Sequence, residues 1–201
     1  MNKNNKNSDN SKIELEQALM VLKQADDLIA IDPKDEFNHF LKSYALLFVF
    51  LAESKPEQGY KRLEESLKEI DIAIALNPNN KMFHYYKGHM LFILRRYEEA
   101  LEEYNKVLSM DPNDKDARKY KIEILMLMQN YEDVLEEYDK ILVNNPDDKE
   151  VHLSKAIILT KLKRFKEALE EYHQAIIIDW AGIRDKILSD VRLNIKKKLK
   201  D

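Results

Sequence analysis

The sequence predicts an all-α chain built as a solenoid of antiparallel helix hairpins, and three observations predict it. Only three glycines and five prolines occur in 201 residues, while 44% of the side chains are apolar, a composition with little material for tight turns and enough to bury a core. Prolines that follow Asn or Asp fall at Pro78, Pro112 and Pro146, a step of 34 residues, and one more step lands on Trp180 after Asp179. Between these marks apolar residues recur at helical spacing, with a polar break at Arg95 and Arg96 that divides the stripe in two. Each unit therefore reads as two helices, the second stopped by an Asp-Pro or Asn-Pro pair, because the residue before proline leaves the α region and proline has no amide hydrogen.

Taken in order, residues 1–10 are Asn- and Lys-rich and are expected to be a disordered tail, with no apolar stretch that would make a signal peptide. Residues 11–32 predict one N-terminal capping helix or half repeat, ending in AIDP like the second helix of a later unit. A long hairpin is expected over 35–80, with helices near Glu36–Ser54 and Glu57–Leu76; Pro33 precedes Pro78 by 45 residues, one period plus about three helical turns. Three regular units follow at 81–114, 115–148 and 149–182, where LRRYEEALEEYNKVLSMDP, MQNYEDVLEEYDKILVNNP and LKRFKEALEEYHQAIIIDW align without gaps. Ile183, Ile187, Val191, Ile195 and Leu199 then recur every four residues, predicting a separate C-terminal capping helix over 183–201.

The units resemble the tetratricopeptide repeat (TPR) family, whose 34-residue signature runs through a small residue, an Ala-x3-aromatic step and a final Pro. Residues 81–114 carry Gly88, Ala100, Tyr104 and Pro112 in register, and 149–182 carry Ala156, Ala168, Tyr172 and Ala175. The unit 115–148 keeps Tyr138 and Pro146 but departs elsewhere, and the family's Trp near the unit start is replaced by His84, Arg118 and His152. The hairpin at 35–80 is then a long, degenerate member of the set. The resemblance implies a right-handed superhelix whose first helices line a concave surface, with Gly88 facing Ala100 and Ala156 facing Ala168.

On that geometry the inward side chains include Phe40, Tyr44, Tyr85, Tyr86, His89, Lys119, Tyr120 and Glu123, the candidate partner-binding groove, with Phe37, Phe48 and Met82 beside them. Tyrosine suits an interface because it offers a large stiff ring and one polar tip. The clamp that some family members use for acidic C-termini needs inward cations and Asn on successive first helices; here those places hold Phe40, Tyr44, Tyr85, Tyr86 and His89, and only Lys119 is cationic. The expected function is a protein–protein interaction scaffold or adaptor for an apolar or aromatic-rich segment of a partner polypeptide. Two alternatives stand beside it, a helical-repeat RNA binder and a self-assembly module, and the oligomeric state is open.

Charge and residue chemistry exclude other classes. Net charge is −4, and seven Lys or Arg against three Asp from Ala181 onward make residues 181–201 +4 and the remainder −8, a body that does not attract nucleic acid. The most apolar window, Tyr44 to Ala52, is far too short to span a membrane. With no cysteine there is no thiol chemistry, which suits a cytoplasmic setting. His39, His84 and His152 recur at one place of the repeat and are read as packing residues, with no metal and no cofactor expected. The acidic pairs such as Glu102/Glu103 and Glu136/Glu137 read as a solvated outer face, and Lys42, Lys87, Lys121 and Lys155 as snorkelling surface lysines. No Gly-rich loop or nucleophile with its base appears, so no catalytic residue is assigned and the chain is read as a non-enzyme.

Overall fold

A computed structural model describes residues 3–52 and 56–198. Among these the chain is all-α, with nine helices packed as sequential antiparallel pairs: α1 (Lys3–Ile31), α2 (Glu36–Ala52), α3 (Pro56–Leu76), α4 (Lys81–Ile93), α5 (Tyr97–Met110), α6 (Lys115–Leu127), α7 (Tyr131–Asn144), α8 (Lys149–Lys161) and α9 (Phe165–Lys198). It divides into two compact units, Met1–Ile124 and Leu125–Asp201.

The repeat is written into the backbone as a start signal and a stop signal. Each first helix opens on a short polar side chain that accepts a backbone N–H: Asp35 from Phe37 (2.8 Å), Asn80 from Met82 (3.0 Å), Asp114 from Ala117 (3.0 Å) and Asp148 from Val151 (3.2 Å). Three first helices end in a left-handed residue, Arg95 (φ 59°), Gln129 (φ 57°) and Lys163 (φ 60°). The next amide reaches back five residues in each case: Arg96 to the Leu91 carbonyl (2.9 Å), Asn130 to Leu125 (2.9 Å) and Arg164 to Leu159 (2.8 Å). This closes the orphan carbonyls of the helix end and reverses the chain into the second helix. The polar break seen in the sequence is this turn.

Helices of 13 and 14 residues such as α4 and α5 are marginal alone, so burial must hold them. In the first unit Leu47, Leu63, Ile70, Phe83, Met90, Leu91, Tyr104, Val107 and Ile124 form one buried cluster, each aliphatic member contributing about 1.5–3 kcal/mol on burial. The α2–α3 hairpin is longer than the rest, at 17 and 21 residues. In the second unit Val134, Leu135, Ala156, Ile158, Leu159, Ala168 and Ala175 are buried. Gly88 lies under the Tyr104 ring, whose nearest carbon would stand 3.1 Å from an added Cβ; the partner that demands a small residue there is this ring.

A polar network recurs beside the core. His84 directs Nδ1 at Glu103 (2.6 Å) and Nε2 at the Pro78 carbonyl (2.8 Å). His39 does the same with Glu69 (2.8 Å) and Pro33 (3.1 Å), and His152 with Glu171 (2.6 Å) and Pro146 (3.0 Å). Arg118, at the same place of its unit, donates to the Pro112 carbonyl. With both ring nitrogens facing acceptors, these imidazoles are spoken for. The recurrent lysines are engaged too. Lys87 joins Glu103 to Asp71, Lys42 joins Glu69 to Asp26, and Lys155 joins Glu171 to Asp139. They bind one hairpin to the helix before it. Glu103 and Glu137 are buried, against the reading of the acidic pairs as a solvated face; Lys106 of the next turn and Lys87 of the facing helix meet Glu103, and Lys140 of the next turn meets Glu137.

The ends depart from expectation. α1 begins at Lys3, inside the segment expected as a disordered tail, and the sequence holds no Gly or Pro before Pro33 to interrupt it. α9 runs unbroken for 34 residues across position 182, where a separate capping helix was expected to start. Trp180 stands where the other units have proline, and a lone Gly182 costs a helix only about 1 kcal/mol. Ser54 and Leu199, which the expected hairpin and cap included, lie outside the described residues.

Candidate partner-binding face

Side chains three to four residues apart share one side of a helix. On α2 this aligns Phe37, Phe40, Tyr44 and Phe48; on α4 it aligns Tyr85, Tyr86 and His89; α6 supplies Tyr120. Their rings meet in an unbroken row. Phe48 lies 4.6 Å from Tyr44, Tyr44 5.4 Å from Tyr86, Tyr86 5.7 Å from Tyr85, and Tyr85 6.1 Å from Tyr120, which touches His89 at 5.2 Å. Most of these contacts are edge-to-face, the arrangement the ring quadrupole favours. Phe40 anchors the row from below, stacked on the buried Phe83 at 5.2 Å and set 5.3 Å from Tyr86.

Six of the eight groove residues expected from sequence are thus brought together: Phe40, Tyr44, Tyr85, Tyr86, His89 and Tyr120, all half-buried. Lys119 and Glu123 are exposed on α6 and make none of the ring contacts. Sequence reasoning did not assign Tyr104 to this group. Fully buried on α5, it stacks face to face on Tyr120 at 5.5 Å and 3°, and its place in the Ala-x3-aromatic step concealed that role. It also left unseen an open cleft of about 480 Å³ between α1 and α2, lined by Ala18, Val21, Tyr44, Ala45, Phe48 and Leu51 among others. Tyr44 and Phe48 belong both to the cleft and to the ring row.

The face is electrically quiet. Burial, with Tyr120 and Asp116 nearby, pushes the Tyr85 phenol up to about 12. Tyr86 is raised by burial and by Tyr44, and Tyr104 is raised by burial above all. Burial lowers His89, partly offset by the Glu123 carboxylate. At neutral pH these groups are neutral phenols and a neutral imidazole. Two polar atoms here are buried without a hydrogen-bond partner, His89 Nδ1 and the Tyr104 hydroxyl, so the face is apolar in bulk with unused polar valence at its floor. Among the described residues no group of three or more acidic or histidine side chains is placed to hold a metal ion, and no helix is long and apolar enough to cross a membrane.

Models of tetratricopeptide repeats match residues 91–158 and 61–115. No curated protein matches the sequence. Among solved structures, residues 41 to the end of MamA from Desulfovibrio magneticus RS-1 superpose with a TM-score of 0.59 at 18% identity, covering 90% of this chain and 98% of that one. TTC0263, a thermophilic TPR protein of Thermus thermophilus, gives 0.57 at 21% identity, over 74% of this chain and 76% of its own. At such identities the likeness is one of fold. The matched repeats, the 34-residue period of caps and left-handed turns, and these neighbours agree: the chain is a tetratricopeptide repeat protein.

Proposed function

We propose that this protein is a non-enzymatic scaffold that holds a partner polypeptide against the aromatic row of α2, α4 and α6. TPR domains generally mediate protein–protein interactions, and the observation that carries the reading here is the unbroken run of rings from Phe48 to Tyr120. Rings already fixed by their neighbours lose little freedom on binding, so contact area converts to affinity with a small ordering cost. Neutral phenols and imidazole favour an apolar or aromatic segment over an acidic tail, since Lys119 is the only cation among the eight candidate residues. The cleft beside Tyr44 and Phe48 suits one large apolar side chain of that segment. A cysteine-free chain fits a reducing cytoplasm, where we place it.

Selection of a random peptide library displayed on phage against the intact protein tests this. Enriched peptides are expected to carry Leu, Phe or Trp at a spacing that fits the row, and to lose about tenfold or more in affinity to a Tyr44→Ser/Phe48→Ser variant. Enrichment of acidic or polar peptides, or equal affinity for the variant, refutes the assignment.

A further inference from the structure

The rings of the aromatic row are neutral, but the residues that flank it differ between its two ends. On α2 the row is Phe37, Phe40, Tyr44 and Phe48. On α6, Asp116 and Glu123 stand four residues before Tyr120 and three after it, so their carboxylates share its side of the helix. Both act on the row: Asp116 bears on the Tyr85 phenol, and Glu123 on His89 and on Tyr104. Both are exposed. Asp114 nearby is held by Lys81 at 2.9 Å. Among the described residues Asp116 and Glu123 enter no ion pair, and Lys119, between them on the helix, pairs with neither.

The floor of this corner is short of donors as well. His89 Nδ1 and the Tyr104 hydroxyl are buried without a hydrogen-bond partner. Tyr104 is fully buried, and the phenolic end of its ring lies over Gly88, the residue before His89. Each of these atoms can accept a hydrogen bond. Tyr85 and His89 stand edge-on to Tyr120 at 6.1 and 5.2 Å, so phenol rings, unused acceptors and two unpaired carboxylates meet at one end of the row. A guanidinium answers each of these: it stacks on a phenol, spreads its N–H groups over several acceptors in one plane, and leaves water more readily than an ammonium. We propose that the corner of Tyr85, His89 and Tyr120 takes an arginine side chain of the partner segment, its guanidinium against the tyrosine rings and between the Asp116 and Glu123 carboxylates. The inference rests on the aromatic row being the binding face, and it gives the partner a direction, with apolar residues over Tyr44 and Phe48 and the arginine over α6.

Peptides enriched from the displayed library against the intact protein are expected to carry an arginine at one end of their apolar residues. The tightest of them, made synthetically, is then titrated by calorimetry against the native chain and against Asp116→Asn/Glu123→Gln, a variant altered only at exposed positions and checked by its helical melt. Affinity is expected to fall about tenfold or more in the variant, and to fall with rising salt in the native chain more steeply than in the variant. The same peptide with glutamine in place of its arginine is expected to bind both proteins alike. Glu98→Gln/Glu102→Gln, which removes the same charge from exposed positions of α5, is expected to leave the affinity unchanged. Apolar peptides that bind through Tyr44 and Phe48 but carry no arginine, a loss at the α5 pair equal to that at Asp116 and Glu123, or a lysine form of the peptide as tight as the arginine form would each overturn the arginine corner and leave the apolar face standing. Enriched peptides indifferent to Tyr44→Ser/Phe48→Ser would remove both.

Discussion

Replacing Glu103 by Gln measures what the repeated polar network contributes. The Glu103 side chain is 5% exposed and is met by His84 at 2.6 Å, Lys106 at 2.9 Å and Lys87 at 3.2 Å. Gln keeps the volume, so no cavity confuses the result, but it offers one acceptor oxygen in place of two and no charge. Lys106 is half in solvent and turns to water, and Lys87 keeps Asp71 at 2.8 Å; His84, buried beside the carboxylate, has no such alternative. Leaving His84 without its carboxylate acceptor, and Lys87 with Asp71 alone, is expected to cost about 2–3 kcal/mol, the range of a lost hydrogen bond to a buried charged group. Glu171 provides the internal comparison, with His152 and Lys155 each at 2.6 Å but 16% of its side chain exposed. Water compensates there, and Glu171→Gln is expected to cost about 1–2 kcal/mol. Urea unfolding followed by helical circular dichroism at neutral pH gives the totals, and amide exchange in α4 and α5 against α8 localises them. A loss below about 1 kcal/mol for Glu103→Gln, or equal losses at the two sites, means the network is an ornament of packing and not a source of stability.

Three other substitutions probe the turns and the network elsewhere. Gly88→Ala places a Cβ 3.1–3.3 Å from three atoms of the buried Tyr104 ring; overpacking is expected to outweigh the helix-propensity gain by about 1 kcal/mol, and pairing it with Tyr104→Leu in a double-mutant cycle is expected to cancel most of that loss. Lys163→Gly relieves a left-handed backbone at φ 60° and is expected to stabilise by about 0.5–1 kcal/mol, read as a rise in thermal midpoint. His152 is raised above its usual value: burial pulls it down, but the hydrogen bonds to Glu171 and to the Pro146 carbonyl outweigh that and the repulsion of Lys155. Its contribution is therefore complete below about pH 6.5 and fades as pH rises through the raised value, so the stability gap between the native chain and His152→Gln is expected to be wider at pH 6 than at pH 9; a gap that grows with pH contradicts the assignment.

The parts of this structure legible in the sequence are those that obey its period. Helix starts at Asn80, Asp114 and Asp148 and the breaks at Arg95, Gln129 and Lys163 repeat every 34 residues, as do Tyr86 and Tyr120. Charged burial was not legible. Glu102 and Glu103 are adjacent and chemically alike, yet a 100° step around the helix exposes one and buries the other, and which of them meets His84 depends on the facing helix. The ion pairs of the lysines were hidden for the same reason, since one carboxylate of each lies on the helix before its hairpin. Trp180 was visible as a substitution for proline, but its consequence, a helix that fails to stop, depends on the absence of a breaker over the residues that follow.

The lysine joints have a consequence for how such a chain can change length. Lys87 meets Asp71, Lys155 meets Asp139, and Lys121 meets Asn105 at 2.7 Å, one joint chemistry reused at successive seams. Excising residues 115–148 would set Lys155 opposite Asn105, the mate that Lys121 already accepts. At this joint the seams are interchangeable in the manner of a standard thread, so duplication or loss of a whole module leaves each such lysine with a mate at the splice.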